Sequence, residues 1–230
     1  MTTKLKAANL NATYSADQVL KTSAAGALSW GEASVAAGFA AVTFYTNTSG
    51  DTWSKSTNNP TKIVVEVIGG AGGSGAGSGT GGSGGAGSYG IAYIDVSTVT
   101  TATVTVGAGG NGGSGSAGAD GGISKFTYAT GTGSFTEMYC AGGKGGGNAN
   151  HTGGGDTALP TGPTNGIYIK GQSGAGAGYG GVTSHGYGAS KIGNSDYHSA
   201  QGYGAAPTAS NSSATGTNGN QGMVVVWEYK

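Results

Sequence analysis

With 230 residues, 52 of them glycine and only 9% charged, the chain has room for one or two domains but little ordinary side-chain material for a conventional core. Ten basic residues balance ten acidic ones, which excludes the basic surface that phosphate binding needs and removes nucleic acid from the expected partners. The same neutrality argues against a disordered chain, which normally carries high net charge.

No apolar run approaches the roughly 18 residues of a membrane span, and "MTTKLKAANLNATYSADQ" lacks the apolar centre of a signal peptide, so neither membrane insertion nor export is expected. Cys140 is the only cysteine, so no disulfide can form within one chain. A protein made and assembled in a cytosol fits these features, and no cofactor is expected.

Along the chain, "ADQVLKTSAAGALSWGEAS" (16–34) places a turn at Ala25-Gly26 between "QVLKT" and "ALSW". Segments rich in β-branched and aromatic residues then follow at 62–68 ("KIVVEVI"), 91–96 ("IAYIDV"), 102–107 ("ATVTVG"), 124–130 ("SKFTYAT"), 135–140 ("FTEMYC") and 223–229 ("MVVVWEY"). They predict strands that supply the conventional core.

Between these segments the glycine has a period. In 69–90 one register of three reads Ala71, Ser74, Gly77, Thr80, Ser83, Ala86, Tyr89, and the other two are glycine except at Ala76, Ser78 and Ser88. In 107–122 the row Ala108, Asn111, Ser114, Ala117, Asp120 repeats the pattern, with Gly109, Gly112, Gly115, Gly118 and Gly121 beside it. Three residues per turn is the period of a polyproline-II helix, which has no internal hydrogen bonds and must find backbone partners in its neighbours. Glycine on two of its three faces lets those neighbours approach. The expected architecture is therefore mainly β: strands interleaved with a sandwich of polyglycine-II helices, the non-glycine rows facing outward. "YCAGGKGGGN" is a shorter third run, and "GAGAGYGG" (174–181) alternates with period two and would also suit a silk-like strand.

A search for reaction chemistry finds little. His151, His185 and His198 have no carboxylate or thiol at ligand spacing, so no metal site is expected. Matches to G-x-G-x-x-G carry no information in such a chain, and in "CAGGKGGG" Lys144 is followed by glycine where a phosphate loop needs Ser or Thr. The carboxylates Asp51, Glu66, Asp95, Asp120, Glu137, Asp156, Asp196 and Glu228 are scattered; two of them meeting in space as a glycosidase pair stays open as an alternative. The expectation is a protein that is not an enzyme, with no catalytic residues.

"TWSKSTNNPTKIVVEVIGGAGGSG", "GSYGIAYIDVSTVTTATVTVGAGGNGG" and "GMVVVWEYK" together resemble the glycine-rich domain of bacteriophage tail fibres, over residues 40–230. The order of strands and glycine runs carries this resemblance. The segment 16–34 looks like one common in phage fibre and virion proteins near trimeric joints. That would set Leu28 and Trp30 against symmetry mates; a hairpin burying Trp30 within one chain is the alternative. The glycine-helix sandwich is similar to that of the small adhesins at fibre tips of some T-even-like phages, where loops joining the helices meet the host receptor. This chain differs from those adhesins in its own N-terminal segment and its interleaved strands.

Tyr168, Tyr179, Tyr187, Tyr197 and Tyr203, with His185 and His198, stand among small polar residues, the composition of adaptable recognition loops. They are candidate receptor contacts; covering the ends of the glycine helices or packing between subunits is the alternative. The resemblance then implies a virion structural protein, a homotrimeric tail fibre or adhesin assembled in the host cytoplasm. Residues 1–35 would attach it to other virion proteins or trimerise it. Residues 36–230 would form the exposed body and meet a host surface glycan or outer-membrane receptor through 147–220. A capsid-surface fibre or decoration protein, a polysaccharide-degrading tailspike and a glycine-rich matrix protein are the alternatives.

Overall fold

The computed structural model describes residues 18–22, 28–32, 38–77, 81–129, 135–148, 153–155, 157–175, 186–187, 201–208 and 215–230; of 18–22, 28–32, 135 and 186–187 it describes the backbone alone. The chain divides into two units, Met1–Gly38 and Phe39–Lys230. Among the described residues there is no helix.

In the first unit β1 (Gln18–Thr22) pairs antiparallel with β2 (Leu28–Glu32), bringing Leu20 opposite Trp30 and Thr22 opposite Leu28. The two halves separated by Ala25-Gly26 thus form the arms of a hairpin within one chain. Leu28 and Trp30 lie on β2, and their side chains are outside the described residues.

The second unit contains β3 (Phe39–Tyr45), β4 (Asp51–Ser54), β5 (Lys62–Ile68), β6 (Tyr89–Asp95), β7 (Thr101–Thr105), β8 (Ser124–Ala129), β9 (Phe135–Cys140), β10 (Gly166–Ile169), β11 (Gly186–Tyr187), β12 (Gln201–Gly202) and β13 (Met223–Tyr229). Five strands form one antiparallel sheet in the order β10-β6-β5-β13-β3, and four form another in the order β4-β7-β8-β9. Period-two alternation explains how they pack. From the larger sheet Ile63, Val65, Val67, Ile94, Val224 and Val226 point inward; from the smaller come Trp53, Val104, Phe126, Tyr128 and Met138, all in one buried cluster. The rings of Trp53 and Phe126 lie 6.1 Å apart at its centre.

The outer faces of the two sheets differ. On the smaller, Thr52, Thr103, Lys125, Thr127 and Glu137 face water; Lys125 donates to Glu137 at 3.1 Å and Thr127 does so at 3.2 Å. On the larger, the outward positions include Phe39, Val42, Phe44, Tyr93, Ile167 and Ile169, all exposed.

Among the described residues, most connections at one end of the sandwich run through glycine-rich segments, the short loop 46–50 between β3 and β4 being an exception. The chain leaves β5 into 69–77 and returns through 81–88 to β6; it leaves β7 into 106–113 and returns through 117–123 to β8; it leaves β9 into 141–147 and enters β13 from 215–222. These runs are not strands, yet they bond to one another with a three-residue repeat. Gly69, Gly72 and Gly75 donate to Ser88, Gly85 and Gly82; Gly70, Gly73 and Ala76 donate to Gly122, Ala119 and Ser116; Ala71 and Ser74 donate to Asn220 and Thr217. Successive N–H groups turn to three different neighbours. The carbonyls turn likewise: Ala71 and Ser74 accept from Gly110 and Gly113, and Gly70 and Gly73 from Gly143 and Gly146.

The run 81–88 does the same, donating to 141–147, to Gln172 and Ala175, and to Gly204 and Pro207. A net bond contributes about 0.5–1.5 kcal/mol and an ordered glycine costs about 0.5–1 kcal/mol against alanine, so glycine can be used this densely only where nearly every amide is paired.

The two predicted outward rows separate. In 107–122 the row Ala108, Asn111, Ser114, Ala117, Asp120 is exposed as expected. In 69–88 the expectation fails: Ala71, Ser74, Ser83 and Ala86 are fully buried. This pair of runs has neighbours on every side, so its third register must also fit between them, and only Ala and Ser are small enough. The hydroxyls of the buried serines are used: Ser88 donates to the Ala141 carbonyl at 3.2 Å and Ser74 accepts from the Thr217 amide at 2.8 Å.

Candidate functional site

The receptor-contact candidates are scattered in the fold. Tyr168, on β10, packs inward against the core beside Gly90 and Cys140, and its hydroxyl donates to the Pro163 carbonyl at 2.8 Å. Burial, with smaller contributions from Cys140 and Tyr128, pushes its pKa up to about 12. Its ring braces the sheet edge: a Cβ at Gly162 or Gly166 would collide with the Tyr168 hydroxyl. Tyr179, His185, Tyr197 and His198 lie outside the described residues, as does His151.

Tyr187 lies on a short pairing that Tyr203 directly follows. β11 and β12 are antiparallel, with Gly186 opposite Gly202 and Tyr187 opposite Gln201, so the chain between them leaves and returns at one point. The turn that follows uses positive φ at Gly202 (89°) and Gly204 (67°), a conformation that favours glycine. It sets the Tyr203 ring, half-buried, against Ile68, Met223 and Val225 on the larger sheet, next to Tyr89 and Trp227.

Beside Tyr203 is an open hollow of about 260 Å³ lined by Gly202, Tyr203, Asn220 and Gln221. Two amides fix its walls. Asn220 Nδ2 donates to the Gly202 carbonyl and Gln221 Nε2 to the Thr46 carbonyl, both at 2.9 Å, which ties the glycine run 215–222 to the turn on one side and to the loop after β3 on the other. The lining carries no charge. An aromatic ring beside amide groups suits a neutral, hydroxyl-rich ligand such as a sugar, which offers a face to the ring and hydroxyls to the amides.

Several of the residues that rival chemistries would use are engaged with neighbours. Asp120 accepts from Lys144 at 2.7 Å and from the Gly145 amide at 2.8 Å. Gly143 and Gly146 donate to Gly70 and Gly73, so with Gly145 three amides of the run 141–147 are committed rather than free to cradle a phosphate. Glu137 faces Lys125, Glu66 accepts from the Tyr89 hydroxyl, and Glu228 lies inside the sandwich against Trp53. Asp156 and Asp196 are outside the described residues. Among the described residues no three of His, Cys, Asp and Glu gather where a metal could bind.

Cys140 is fully buried, its thiol donating to the Val67 carbonyl at 3.3 Å. Burial pushes its pKa to about 12, opposed by a smaller effect of Ser88, so it sits there as a small apolar group rather than a nucleophile. Asn220 and Gln221 escaped the sequence reading, although "NGNQG" sets amides at the junction of a glycine run and the last strand.

No match is found among curated proteins. A family model described as a glycine-rich domain matches residues 44–226, the span from the end of β3 to the middle of β13. That span takes in both sheets of the sandwich and the glycine runs between them, and the chain belongs to this family of glycine-rich domains.

Proposed function

We propose that this protein is a structural component of a bacteriophage virion, a homotrimeric tail fibre or adhesin that binds a host surface glycan or outer-membrane receptor and catalyses no reaction. Its glycine runs are polyglycine-II helices, a reading supported by the three-residue repeat with which their amides visit three neighbours. Such a lattice gives a stiff end to the sandwich without disulfides or metal. The loops it carries are then free to vary without disturbing the strands.

The observation that carries receptor contact is the hollow at Tyr203, Asn220 and Gln221, uncharged and rooted beside the β11–β12 pairing from which the stretch with Tyr197 and His198 departs. The test is binding of the full-length protein to intact bacterial cells and to an array of their purified surface polysaccharides. The expected result is saturable binding that falls at least tenfold when Tyr187 and Tyr197 are both replaced by alanine. Unchanged binding of that variant would remove the receptor assignment, and the appearance of new reducing ends in the polysaccharide would replace it with hydrolysis.

A further inference from the structure

The two sheets of one sandwich have opposite outer faces, and only one is finished for water. An antiparallel sheet with one wet face shows apolar-in, polar-out alternation, as the four-stranded sheet does. The five-stranded sheet is apolar on both faces. Phe44 and Phe39 are each 62% exposed, Ile167 64% and Ile169 51%, with Val42 and Tyr93 also exposed.

The register places these residues in rows across the strands. Phe44 lies opposite Val225, which is opposite Glu66, then Ile91, then Ile167; one row along run Val42, Trp227, Val64 and Tyr93. The exposed side chains lie toward the two edges, Phe39, Val42 and Phe44 on β3 and Tyr93, Ile167 and Ile169 on β6 and β10, and the half-buried Trp227 and Val64 join them across the sheet. In the Phe44 row the middle is covered, Val225 being 1% and Glu66 4% exposed with Tyr203 packed on the cluster that holds Val225, so the open part of the face is the Val42 row and its margins.

We infer that this face is where copies of the chain associate, with the glycine lattice left outside the contact. The inference rests on the homo-oligomeric part of the reading above and gives it a surface. Charge favours a second copy as occupant. The one carboxylate within the face, Glu66, is buried and accepts from Tyr89, while Lys62 and Asp95 stand opposite each other at the far end. A surface this neutral neither repels its own copy nor selects a partner of opposite sign.

The edge of the sheet agrees. β3 is an edge strand of seven residues, FAAVTFY, with neither a charge nor a proline to keep another chain away, the devices by which proteins protect an edge that stays in water.

Sedimentation of the full-length protein tests this. The wild type should be an oligomer at micromolar concentration. Phe44→Glu with Ile167→Glu should shift it to monomer and raise the dissociation constant at least tenfold, and Ile167→Glu alone, on the opposite edge strand, should weaken it in the same direction. Thr103→Glu, on the polar outer face, should leave the mass unchanged. A monomeric wild type overturns the inference, including one whose face is protected from hydrogen exchange by another part of its own chain. So does an oligomer that keeps its mass in both glutamate variants. Cell binding is read separately on Ile167→Glu, which lies on the edge strand away from Tyr203; Phe44 pairs with Val225, on whose cluster Tyr203 packs, so the Phe44 variant is read by mass alone.

Discussion

Trp53 Nε1 donates to Glu228 Oε1 at 2.9 Å in the middle of the sandwich, joining residues 175 apart in sequence and linking the smaller sheet to the larger. Trp53 is 1% exposed and Glu228 3%, and the second carboxylate oxygen, Oε2, has no hydrogen-bond partner among the described residues. An indole needs a partner when buried, and here it is an acceptor that would otherwise be deprived of its only donor in that layer.

This arrangement predicts strong coupling. Trp53→Phe keeps an aromatic ring but leaves a buried carboxylate without its donor, which costs about 1–3 kcal/mol, and the lost ring volume adds to that. Glu228→Leu in the same background removes the stranded group. Urea unfolding of the two single variants and the double variant should therefore give a coupling of at least about 1 kcal/mol, the double variant being more stable than the sum of the singles implies. Additive losses would mean that the bond contributes nothing beyond packing.

The lattice predicts a sharp difference among glycines that look alike in the sequence. A Cβ at Gly72 would collide with the carbonyl oxygen of Lys144, and one at Gly73 with that of Asn111, both backbone atoms that cannot turn aside. Gly155 has nothing within 4 Å of the same position and is exposed. Gly72→Ala and Gly73→Ala should each destabilise by about 2 kcal/mol or more, in the range of overpacking a core. Gly155→Ala should be neutral, or stabilising by up to about 1 kcal/mol through the unfolded chain. Thermal unfolding of the three variants decides it, and equal shifts would contradict the packing described.

How much of this was legible in the sequence depends on how local each feature is. The strands at 62–68, 135–140 and 223–229 have the bounds their composition predicts, because alternation and β-branching are local. β6 begins at Tyr89, two residues before its predicted start, since Tyr89-Gly90 reads as the tail of the glycine run. β10 was not anticipated: four residues, GIYI, carry too little pattern, and Tyr168 read as a loop aromatic although its ring packs inward. The period of three was visible, yet the sides of the rows were not. Ala and Ser suit both an exposed position and a crowded gap, and the number of neighbouring runs decides between them. The hollow was half visible, since Tyr203 stood out while Asn220 and Gln221 reach it from a run whose position is set by contacts with 107–113 and 69–76.

The last prediction concerns pH. Asp120 and Lys144 close a contact between the runs 117–123 and 141–147 at 2.7 Å, and the Gly145 amide adds a second donor to the same carboxylate. Partial burial works to raise the Asp120 pKa, but the bonds from Lys144 and Gly145 outweigh it and hold the carboxyl below its ordinary value. A lowered carboxyl contributes stability that is fully present above the unfolded pKa, about 3.9, and is lost as pH falls through the folded value. The bond to Asp120, then its charge, raise the pKa of Lys144, so its share is complete below about 10.4 and is lost as pH rises through the raised value. Both side chains are about half exposed, at 54% and 53%, so water screens the pair and its contribution is only about 0.2–1 kcal/mol. Asp120→Asn keeps an acceptor for the Gly145 amide while removing the charge. Its deficit against the wild type should be flat from about pH 5 to 9 and should vanish as the pH is taken well below 3.9. Salt at about 1 M should shrink the deficit in the flat region. A deficit that persists in acid would place the aspartate's value in shape rather than charge.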